Sequence, residues 1–266
     1  MTSDATRGRA GRSPALLGAV GLLGFVALFE ALTRVGVLPR EYFPAPSDIA
    51  TAMVVVAGEK TFWIAFGVTV QTWAIGLAIA VVGGLVLGLV IGLVPFLRSF
   101  TASTVEFLRP IPSVALIPLV TMLVGLEMTS VVVLVVYASF WQMLVQVLYG
   151  VSDVDPVARE TARSYRLGWW HQVRYVVWPT TLPYAMTGVR LAVAVALILA
   201  VTGELLFSQV GLGHDIDVAF SSNTPDRAYA LIVVVGLIGV AANLLTRVAE
   251  RFVLAWHPSV RSEVPV

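Results

Sequence analysis

The feature that most constrains this chain is an uncharged stretch from Thr61 to Leu97. A helix needs about 20 mostly apolar residues, at 1.5 Å rise each, to cross the hydrocarbon core of a bilayer. The whole chain is 58% hydrophobic and 12% charged, whereas a soluble domain carries about 25% charged residues. Since so little of its surface can face water, the sequence predicts an all-α integral membrane protein.

Six segments are candidates for membrane-spanning helices. They are Ala15–Leu32, Phe66–Val94, Ser113–Leu126, Thr129–Tyr149, Tyr184–Thr202 and Ala228–Thr246. The third is short and follows the proline-rich stretch EFLRPIPSVALIP, which predicts a broken or kinked helix, because proline donates no backbone hydrogen bond. Broken helices in membranes are tolerated where they line a cavity or are buried in protein. Arg109, Pro110 and Pro112 are therefore candidate residues of a translocation path or gate.

The placement of arginine and lysine predicts the orientation, because both are enriched in cytoplasmic segments of membrane proteins. With six spans and a cytoplasmic N-terminus, thirteen of the seventeen basic residues lie on the cytoplasmic side. The other four, which lie outside, are Arg34, Arg40, Lys60 and Arg227. Both termini are then cytoplasmic. We expect a tail over 1–14, a membrane domain over 15–257 and a second tail over 258–266.

Composition excludes several functions. A net charge of +1 gives no basic field that would attract nucleic acid. The chain has no cysteine, which excludes disulfides and thiol chemistry. A phosphate-binding loop of the type GxxxxGK[ST] needs a lysine after a glycine, but the only lysine, Lys60, follows Glu59. We therefore expect no cofactor in this chain, and any ATP and Mg would be bound by another chain.

Two other classes of membrane protein are alternatives that the sequence supports less well. An intramembrane serine protease needs a serine and a histidine at one depth, but His171, His214 and His257 all lie outside the predicted spans. A secondary transporter usually has two repeated halves and intramembrane ionisable residues for ion coupling. The sequence shows no internal repeat, and its best intramembrane charges are Arg190 and Glu204. Both residues are further candidates for the path or gate.

Two features of the spans leave alternatives open. Arg190 either snorkels to the cytoplasmic head groups or faces the bundle interior near an inner gate, where it would pair with an acidic group or ease the passage of an anion. Gly84, Gly88 and Gly92 form a stripe of small residues that lets two helix backbones approach closely. This stripe serves either packing inside one chain or an interface between subunits.

The longest cytoplasmic loop, 150–183, contains the stretch ETARSYRLGWWHQVRYVVWP. Asp155 is suited to cap a helix, and Pro156 to occupy its first position. Apolar residues then recur at steps of three and four, which predicts an amphipathic helix; they are Ala162, Tyr165, Trp169, Val173 and Val176. Gly168 can divide this helix into two pieces. Such a helix would lie in the groove of a partner or at the membrane interface.

The loop and the start of the next span resemble the EAA loop of the membrane subunits of binding-protein-dependent ABC importers. The resemblance is carried by VDPVARETARSYRLGWWHQVRYVVWPTTLPYAMTGVRLA. The family's EAA falls on Glu160, Thr161 and Ala162, and its downstream prolines fall on Pro179 and Pro183. The match therefore covers both the signature and its spacing to the following helix.

Two positions depart from the family pattern. Thr161 stands where the family has an alanine, and Arg166 stands where it has a glycine, with Gly168 two residues later. Three further stretches, LPREYFPAPSDI, EFLRPIPSVALIPL and GLGHDIDVAF, are similar to the branch that imports nitrate, alkanesulfonates, taurine, related organic anions and some vitamin precursors. The resemblance runs from about Leu38 to Trp256.

This resemblance implies a six-span permease subunit of a type I ABC importer in the bacterial cytoplasmic membrane. Such an importer has two permease chains, here expected to be two copies of one chain, two ATPase chains and an external substrate-binding protein. The loop would be a coupling helix that docks into a cleft of the ATPase. The residues implied to dock are Glu160, Thr161, Ala162, Tyr165, Arg166, Gly168 and Trp169. For Trp169 and Trp170, anchoring at the lipid interface is the alternative.

Overall fold

The computed structural model describes residues 14–207 and 210–256, so the tail over 258–266, His257 and nearly all of the tail over 1–14 lie outside the described residues. The described part is built from α-helices. They are α1 Pro14–Arg34, α2 Pro46–Ala57, α3 Lys60–Leu93, α4 Pro95–Leu108, α5 Ile117–Val124, α6 Met128–Ser152, α7 Pro156–Ser164, α8 Trp169–Gln172, α9 Trp178–Phe207, α10 Leu212–Ser221 and α11 Pro225–Val253. A 3₁₀ turn, Ser113–Leu116, precedes α5, and a π-helical turn, Val173–Val177, joins α8 to α9.

Up to six membrane crossings are present in the described residues. Five are long apolar helices: α1, α3, α6, the continuous helical run Trp169–Phe207, and α11. The sixth is a broken pair, in which α4 and the segment Ser113–Val124 bend by 84° at the break. The predicted third span, Ser113–Leu126, is therefore only the second half of this crossing. The first half was missed because α4 carries charged residues, among them Arg98 and Glu106, that interrupt the apolar pattern.

The centre of the bundle is α6, which packs between α3 and α9. A Cβ atom added at Gly84 would lie 2.7 Å from the Cβ of Met143, and one at Gly88 would lie 2.8 Å from the Cβ of Val147. The glycine stripe therefore serves close packing within the chain, as one of the two predicted alternatives holds. On the other side, α6 and α9 share a buried apolar cluster with Val120 of α5; its members are Val120, Val131, Leu134, Val135, Ala138, Ala196, Leu199, Ala200 and Phe207.

The two ends of the bundle are defined by the short helices they carry. We call them the α7 end and the α10 end. Near its start, α3 contributes Phe62 to a buried cluster with Leu212 of α10, and near its end Gly92 packs on Val151 of α6. The helix α3 therefore runs from the α10 end to the α7 end, and α6 lies antiparallel to it. The long helix α9 runs from the α7 end to the α10 end, and α11 runs from the α10 end to the α7 end.

The fifth crossing begins earlier than the sequence predicts. We expected Pro179 and Pro183 to end the loop helix and a span to start at Tyr184, but the helical run Trp169–Phe207 passes through both prolines. Pro179 is the second residue of α9, directly after the π-helical turn, and wider turns accommodate a missing donor. Pro183 lies inside α9, and its carbonyl oxygen accepts a hydrogen bond from the Thr187 hydroxyl at 3.1 Å.

The first helix, α1, is held to the rest of the chain at its last turns. The carboxylate of Glu30 accepts a hydrogen bond from the backbone N–H of Ser47 at 3.0 Å and another from its hydroxyl at 2.8 Å. Arg34 donates to the same carboxylate at 2.5 Å. Ser47 lies in the first turn of α2, so Glu30 caps that helix from outside. Most of α1 exposes apolar side chains, as expected of a helix that faces lipid or another chain.

Candidate functional site

The helix α7 is capped by one side-chain hydrogen bond and joined to the end of α6 by another. The side chain of Asp155 accepts from the backbone N–H of Val157 at 2.8 Å, which confirms Asp155 as the N-cap. The guanidinium of Arg159 donates to the carbonyl oxygen of Val151 at 2.9 Å. Val151 lies in the last turn of α6, where carbonyl groups lack helical partners. Movement of α7 would therefore be transmitted directly to the central helix.

A tight turn closes α7 at the position where the family has a glycine. The N–H of Leu167 bonds the carbonyl of Ala162 at 3.0 Å, and the N–H of Arg166 bonds the carbonyl of Arg163 at 2.8 Å. This pair of bonds is a Schellman motif, which requires a left-handed residue at its fifth position. Arg166 supplies it with a φ of +54°. The break in the predicted amphipathic helix therefore occurs at Arg166, and Gly168 serves as the N-cap of α8.

The two faces of α7 have different environments. Ala162 is only 4% exposed and lines a small cavity with Leu93 of α3 and Val176 of the π-helical turn. The Ala162 side chain packs inside the chain in this subunit, and its place in the cleft of a partner stays a prediction. Glu160 and Thr161 are exposed. The face of α7 that is free to meet a partner carries these two side chains.

The predicted apolar stripe is largely kept across the break at Arg166. Four of its five residues line one small cavity; they are Ala162, Trp169, Val173 and Val176. Tyr165 is not among the lining residues and is 79% exposed, and Trp169 is 65% exposed. Trp170 is exposed to a similar degree, and the rings of Trp169 and Trp170 lie 6.3 Å apart between centroids.

Arg109 and Pro110 line a cavity between α4 and α6. Both lie at the break between α4 and the segment Ser113–Val124. Pro112 is not among the residues lining this cavity, and it precedes the 3₁₀ turn that leads into α5. Two of the three candidate path residues around the break are thus brought together.

Arg190 forms an ion pair with Glu250 of α11. The side chain of Arg190 is 43% exposed and borders an apolar cavity of about 750 Å³ between α9 and α11. The structure contains a pair with an acidic group, whereas snorkelling to head groups and a place near an inner gate both stay predictions. The pair lies near the end of α11 and joins that helix to α9 at the α7 end.

Glu204 is buried where α3, α9 and α10 meet. It is 1% exposed, and its Oε2 accepts hydrogen bonds from the Thr69 hydroxyl at 2.7 Å and from the N–H of Gly213 at 3.1 Å. The Thr69 oxygen also accepts from the N–H of Leu212 at 2.9 Å. A Cβ at Gly211, where φ is +144°, would lie 2.5 Å from the Glu204 carboxylate. The carboxylate fastens α10 to the bundle, and a path role for Glu204 stays a prediction.

An ion pair also closes the α10 end. Arg227, in the first turn of α11, donates two hydrogen bonds to the carboxylate of Glu59 at 2.7 and 2.6 Å. These bonds hold the pKa of Glu59 below its ordinary value. On α10, burial raises the pKa of Asp215. The ion pair of Arg227 and Glu59 ties the start of α3 to the start of α11.

Comparison with known proteins shows the family of this chain. The model of the family described as binding-protein-dependent transport system inner membrane component matches residues 80–254. This chain belongs to that family. The match begins inside α3 and ends at the close of α11, so it includes the broken crossing, α7 and the Glu204 cluster.

Members of this binding-protein-dependent transport family resemble the chain over most of its length. It is 27% identical to the taurine transport system permease protein TauC of Escherichia coli (strain K12), with 83% of this chain and 82% of TauC covered. It is 25% identical to the nitrate import permease protein NrtB of Synechococcus elongatus, with 86% of each chain covered. The chain lies in the nitrate, sulfonate and taurine branch of the family.

The fold is that of a type I ABC importer permease. A solved structure titled as an inward-facing conformation of the MetNI methionine ABC transporter matches with a TM-score of 0.53 and 18% identity, covering 72% of this chain and 98% of the other. The chain is a multi-pass transport subunit of the cytoplasmic membrane, and ATP hydrolysis belongs to a separate chain. Family membership also implies an ATPase and a substrate-binding protein as partners.

Several residues of the site escaped the sequence analysis. Arg159 lies between recognised motif positions, but only the structure shows its bond to α6. Thr69 gives no signal in a span of uniform hydropathy, although it contacts both Glu204 and α10. Arg98 and Glu106 fall between two predicted spans, so the sequence analysis gave them no place in a helix. Their spacing of eight residues before a proline-rich break is a signal that could have revealed them, because charges at this spacing share one helix face.

Proposed function

We propose that this chain forms the translocation path of an ATP-driven importer for a small anion and that it receives the ATPase on α7. The α7 end would then face the cytoplasm and the α10 end the substrate-binding protein. ATP and Mg would be bound by the ATPase, and the permease would act as a homodimer. The names of TauC and NrtB, which contain taurine and nitrate, support an anion that bears a sulfonate or another oxyanion group.

The observation that carries the docking proposal is the geometry of α7. One face is buried on the chain's own core through Ala162, and Arg159 bonds the end of α6. The opposite face exposes Glu160 and Thr161 at the surface of the α7 end. A short exposed helix that is rigidly joined to the central span can transmit a push from a partner to the whole bundle.

Paired cysteine variants test the docking proposal, because the chain has no native cysteine. Alone in detergent, Thr161→Cys should react quickly with a maleimide, and Ala162→Cys should react slowly because that side chain is buried. Assembly with the ATPase should protect Thr161→Cys and leave Ser221→Cys, on α10, as reactive as before. Equal labelling of Thr161→Cys with and without the ATPase would contradict docking on α7.

The orientation has its own test in intact cells. Ser164, at the end of α7, and Ser221, at the end of α10, are both exposed. An impermeant thiol reagent should label Ser221→Cys and spare Ser164→Cys until the membrane is opened. The reverse pattern would place the α7 end outside.

An open cavity and an exposed apolar helix in the single chain support a second permease copy. The cavity between α9 and α11 is bordered by only these two helices, and α1 exposes apolar side chains along most of its length. Native mass spectrometry of the complex should give two identical permease chains with two ATPase chains. A complex that holds one copy of this chain and one different permease would contradict the homodimer.

A further inference from the structure

The helix α4 runs along the side of the bundle from the α7 end. It begins at Pro95, directly after α3, whose last turns pack on Val151 of α6. At its other end, the carbonyl of Leu108 accepts a hydrogen bond from the hydroxyl of Tyr137 at 3.0 Å. Tyr137 precedes Val151 by fourteen residues of α6, or about 21 Å at 1.5 Å per residue. Arg109, which follows Leu108, therefore lies near the middle of the membrane-spanning region.

The two long faces of α4 differ in chemistry. Phe96, Phe100 and Phe107 are 72–73% exposed, and at 100° per residue they share one face within about 40°. Arg98 and Arg109 are eleven residues apart and lie together on the opposite face. Charged residues at membrane depth face a protein or water-filled interior and not lipid. The helix thus turns its phenylalanines outward and its arginines towards α6.

Between the charged face of α4 and the helix α6 lies a cavity of about 580 Å³. Its polar lining consists of Arg98, Thr101, Glu106, Arg109, Tyr149 and Ser152. Two guanidinium groups stand against one carboxylate, and neither arginine forms an ion pair within the part of the chain that the structure describes. A guanidinium held at membrane depth without a counter-ion is costly and marks a functional site. The missing counter-charge fits an anionic ligand.

We propose that this cavity is an anion-binding site on the translocation path, with Arg109 as the residue that binds the charged group of the solute. The inference rests on the proposed import function and names the part of the path that selects the ligand. The ligand class is a small oxyanion, such as a sulfonate or nitrate, since two of its oxygens can accept parallel hydrogen bonds from one guanidinium. Arg98, about 16 Å along the helix from Arg109, lies towards the α7 end and marks the mouth of the cavity.

A charge-sensitive reporter inside the cavity tests the proposal without knowledge of the natural solute. Thr101 lies on the cavity wall, so Thr101→Cys places one thiol there in the full-length chain. The protein, in phosphatidylcholine nanodiscs, is treated with two methanethiosulfonate reagents of similar length that end in a sulfonate or a trimethylammonium group. The ratio of the sulfonate rate to the cation rate should be higher at Thr101→Cys than at Ser221→Cys on α10.

Charge substitutions assign this ratio to the arginine. Arg109→Gln should lower the ratio at Thr101→Cys about tenfold, because removing one unit charge about 12 Å along the helix favours the cation and disfavours the anion. Arg109→Lys should preserve it, and Arg40→Gln, a matched change outside the cavity, should have no effect. A ratio that is unchanged by Arg109→Gln overturns the proposal. If Arg109→Gln does not fold, Arg98→Gln tests the positive charge of the cavity, and the expected decrease is larger because Arg98 lies only three residues from Thr101; an unchanged ratio there overturns the anion site.

Two further arms identify the ligand. Taurine or nitrate should slow the labelling of Thr101→Cys, whereas choline should not, and failure of both anions to slow it overturns the ligand class. Slowing that is seen only in nanodiscs containing phosphatidylglycerol would assign the site to a lipid head group and overturn its place on the path. Failure here with intact protection of Thr161→Cys by the ATPase would leave the proposed function standing. If that protection were lost while the ratio of labelling rates stayed intact, the proposed docking of the ATPase would be contradicted and the anion site would stand.

Discussion

At the scale of single residues, the turn after α7 has a backbone conformation that its side chain disfavours. Arg166 adopts a φ of +54° to close the Schellman motif, and a non-glycine residue pays about 1–2 kcal/mol for a left-handed conformation. Arg166→Gly should therefore raise the free energy of unfolding by about 0.5–1 kcal/mol, after the greater entropy of glycine in the unfolded chain is subtracted. The measurement is thermal unfolding of the purified permease followed by tryptophan fluorescence.

The control for this prediction is Arg166→Ala. It removes the guanidinium but keeps the Cβ atom, so the left-handed strain remains and no gain is expected. A glycine variant that unfolds at the same temperature as the alanine variant would show that the turn is not strained.

Thr69 is the second residue whose substitution has a defined consequence. Its hydroxyl donates to Glu204 and accepts from the N–H of Leu212, so Thr69→Val leaves that N–H buried without a partner and removes one of the two hydrogen bonds to Oε2 of Glu204. An unpaired buried donor costs about 1–3 kcal/mol and a hydrogen bond to a charged group contributes about 1.5–3 kcal/mol, and we expect a loss of about 2–4 kcal/mol in a detergent-titration measurement of unfolding. Thr69→Ser keeps the hydroxyl and should lose less than half as much. Equal losses in the two variants would mean that cavity formation, and not hydrogen bonding, dominates.

How far the sequence predicts a residue's place depends on the range of the interaction. Asp155 was recognised as a cap because capping involves neighbours in the chain. Ala162 and Glu204 were assigned to a partner and to a path, but contacts with Leu93 and Thr69 from distant helices bury them. Sequence spacing gives the face of a helix, and it does not say which element covers that face.

At the scale of elements, the packing of α3 on α6 depends on the absence of side chains. A Cβ at Gly84 would lie 2.7 Å from the Cβ of Met143 and 3.1 Å from a backbone nitrogen, whereas a Cβ at Gly67 would meet nothing within 4 Å. Gly84→Ala should therefore destabilise the protein by about 1–3 kcal/mol through overpacking. Gly67→Ala, in the same helix, should be neutral or stabilising by up to about 1 kcal/mol through helix propensity. Unfolding titrations of both variants compare them directly, and equal effects would contradict close packing at Gly84.

The ion pair at the α10 end predicts a dependence on pH. Arg227 lowers the pKa of Glu59 below the ordinary value of 4.5. A carboxyl whose pKa is lower in the folded state contributes stability above its unfolded pKa, and that contribution is lost as the pH falls through the folded pKa. The unfolding temperature should thus decrease below about pH 4.5, and less steeply in Glu59→Gln than in Glu41→Gln. High salt should reduce the difference, because the pair is partly exposed; identical profiles for the two variants would contradict the assignment.

The errors in element boundaries have a physical cause. Hydropathy located the apolar spans, but the charges of α4 concealed half of the broken crossing, since they face a cavity and not lipid. Proline was read as a helix stop at Pro179 and Pro183, yet the helical run Trp169–Phe207 passes through both, with a π-helical turn directly before α9. Local propensity was overridden in each case by tertiary surroundings that the sequence does not state.

At the scale of the whole molecule, polar contacts join neighbouring helices at each end of the bundle. At the α7 end, Arg159 joins α7 to α6, and the pair of Arg190 and Glu250 joins α9 to α11. At the α10 end, Glu204 holds α10 against α3 and α9. A displacement of α7 by a partner would therefore reach α6 first and the α10 end through the packed core of α6 and α9.

The most direct test of the central claim is ATP hydrolysis by the complete complex of permease, ATPase and substrate-binding protein in proteoliposomes. Glu160→Lys reverses an exposed charge on α7, and Glu160→Asp keeps the negative charge at the same position. Loss of one partner of a charge pair that is buried at an interface costs about 2–5 kcal/mol, so Glu160→Lys should reduce stimulation of hydrolysis by the binding protein at least about tenfold, whereas Glu160→Asp should retain most of it. Stimulation that is unaffected by Glu160→Lys, or uptake that proceeds on an ion gradient without ATP, would contradict the account.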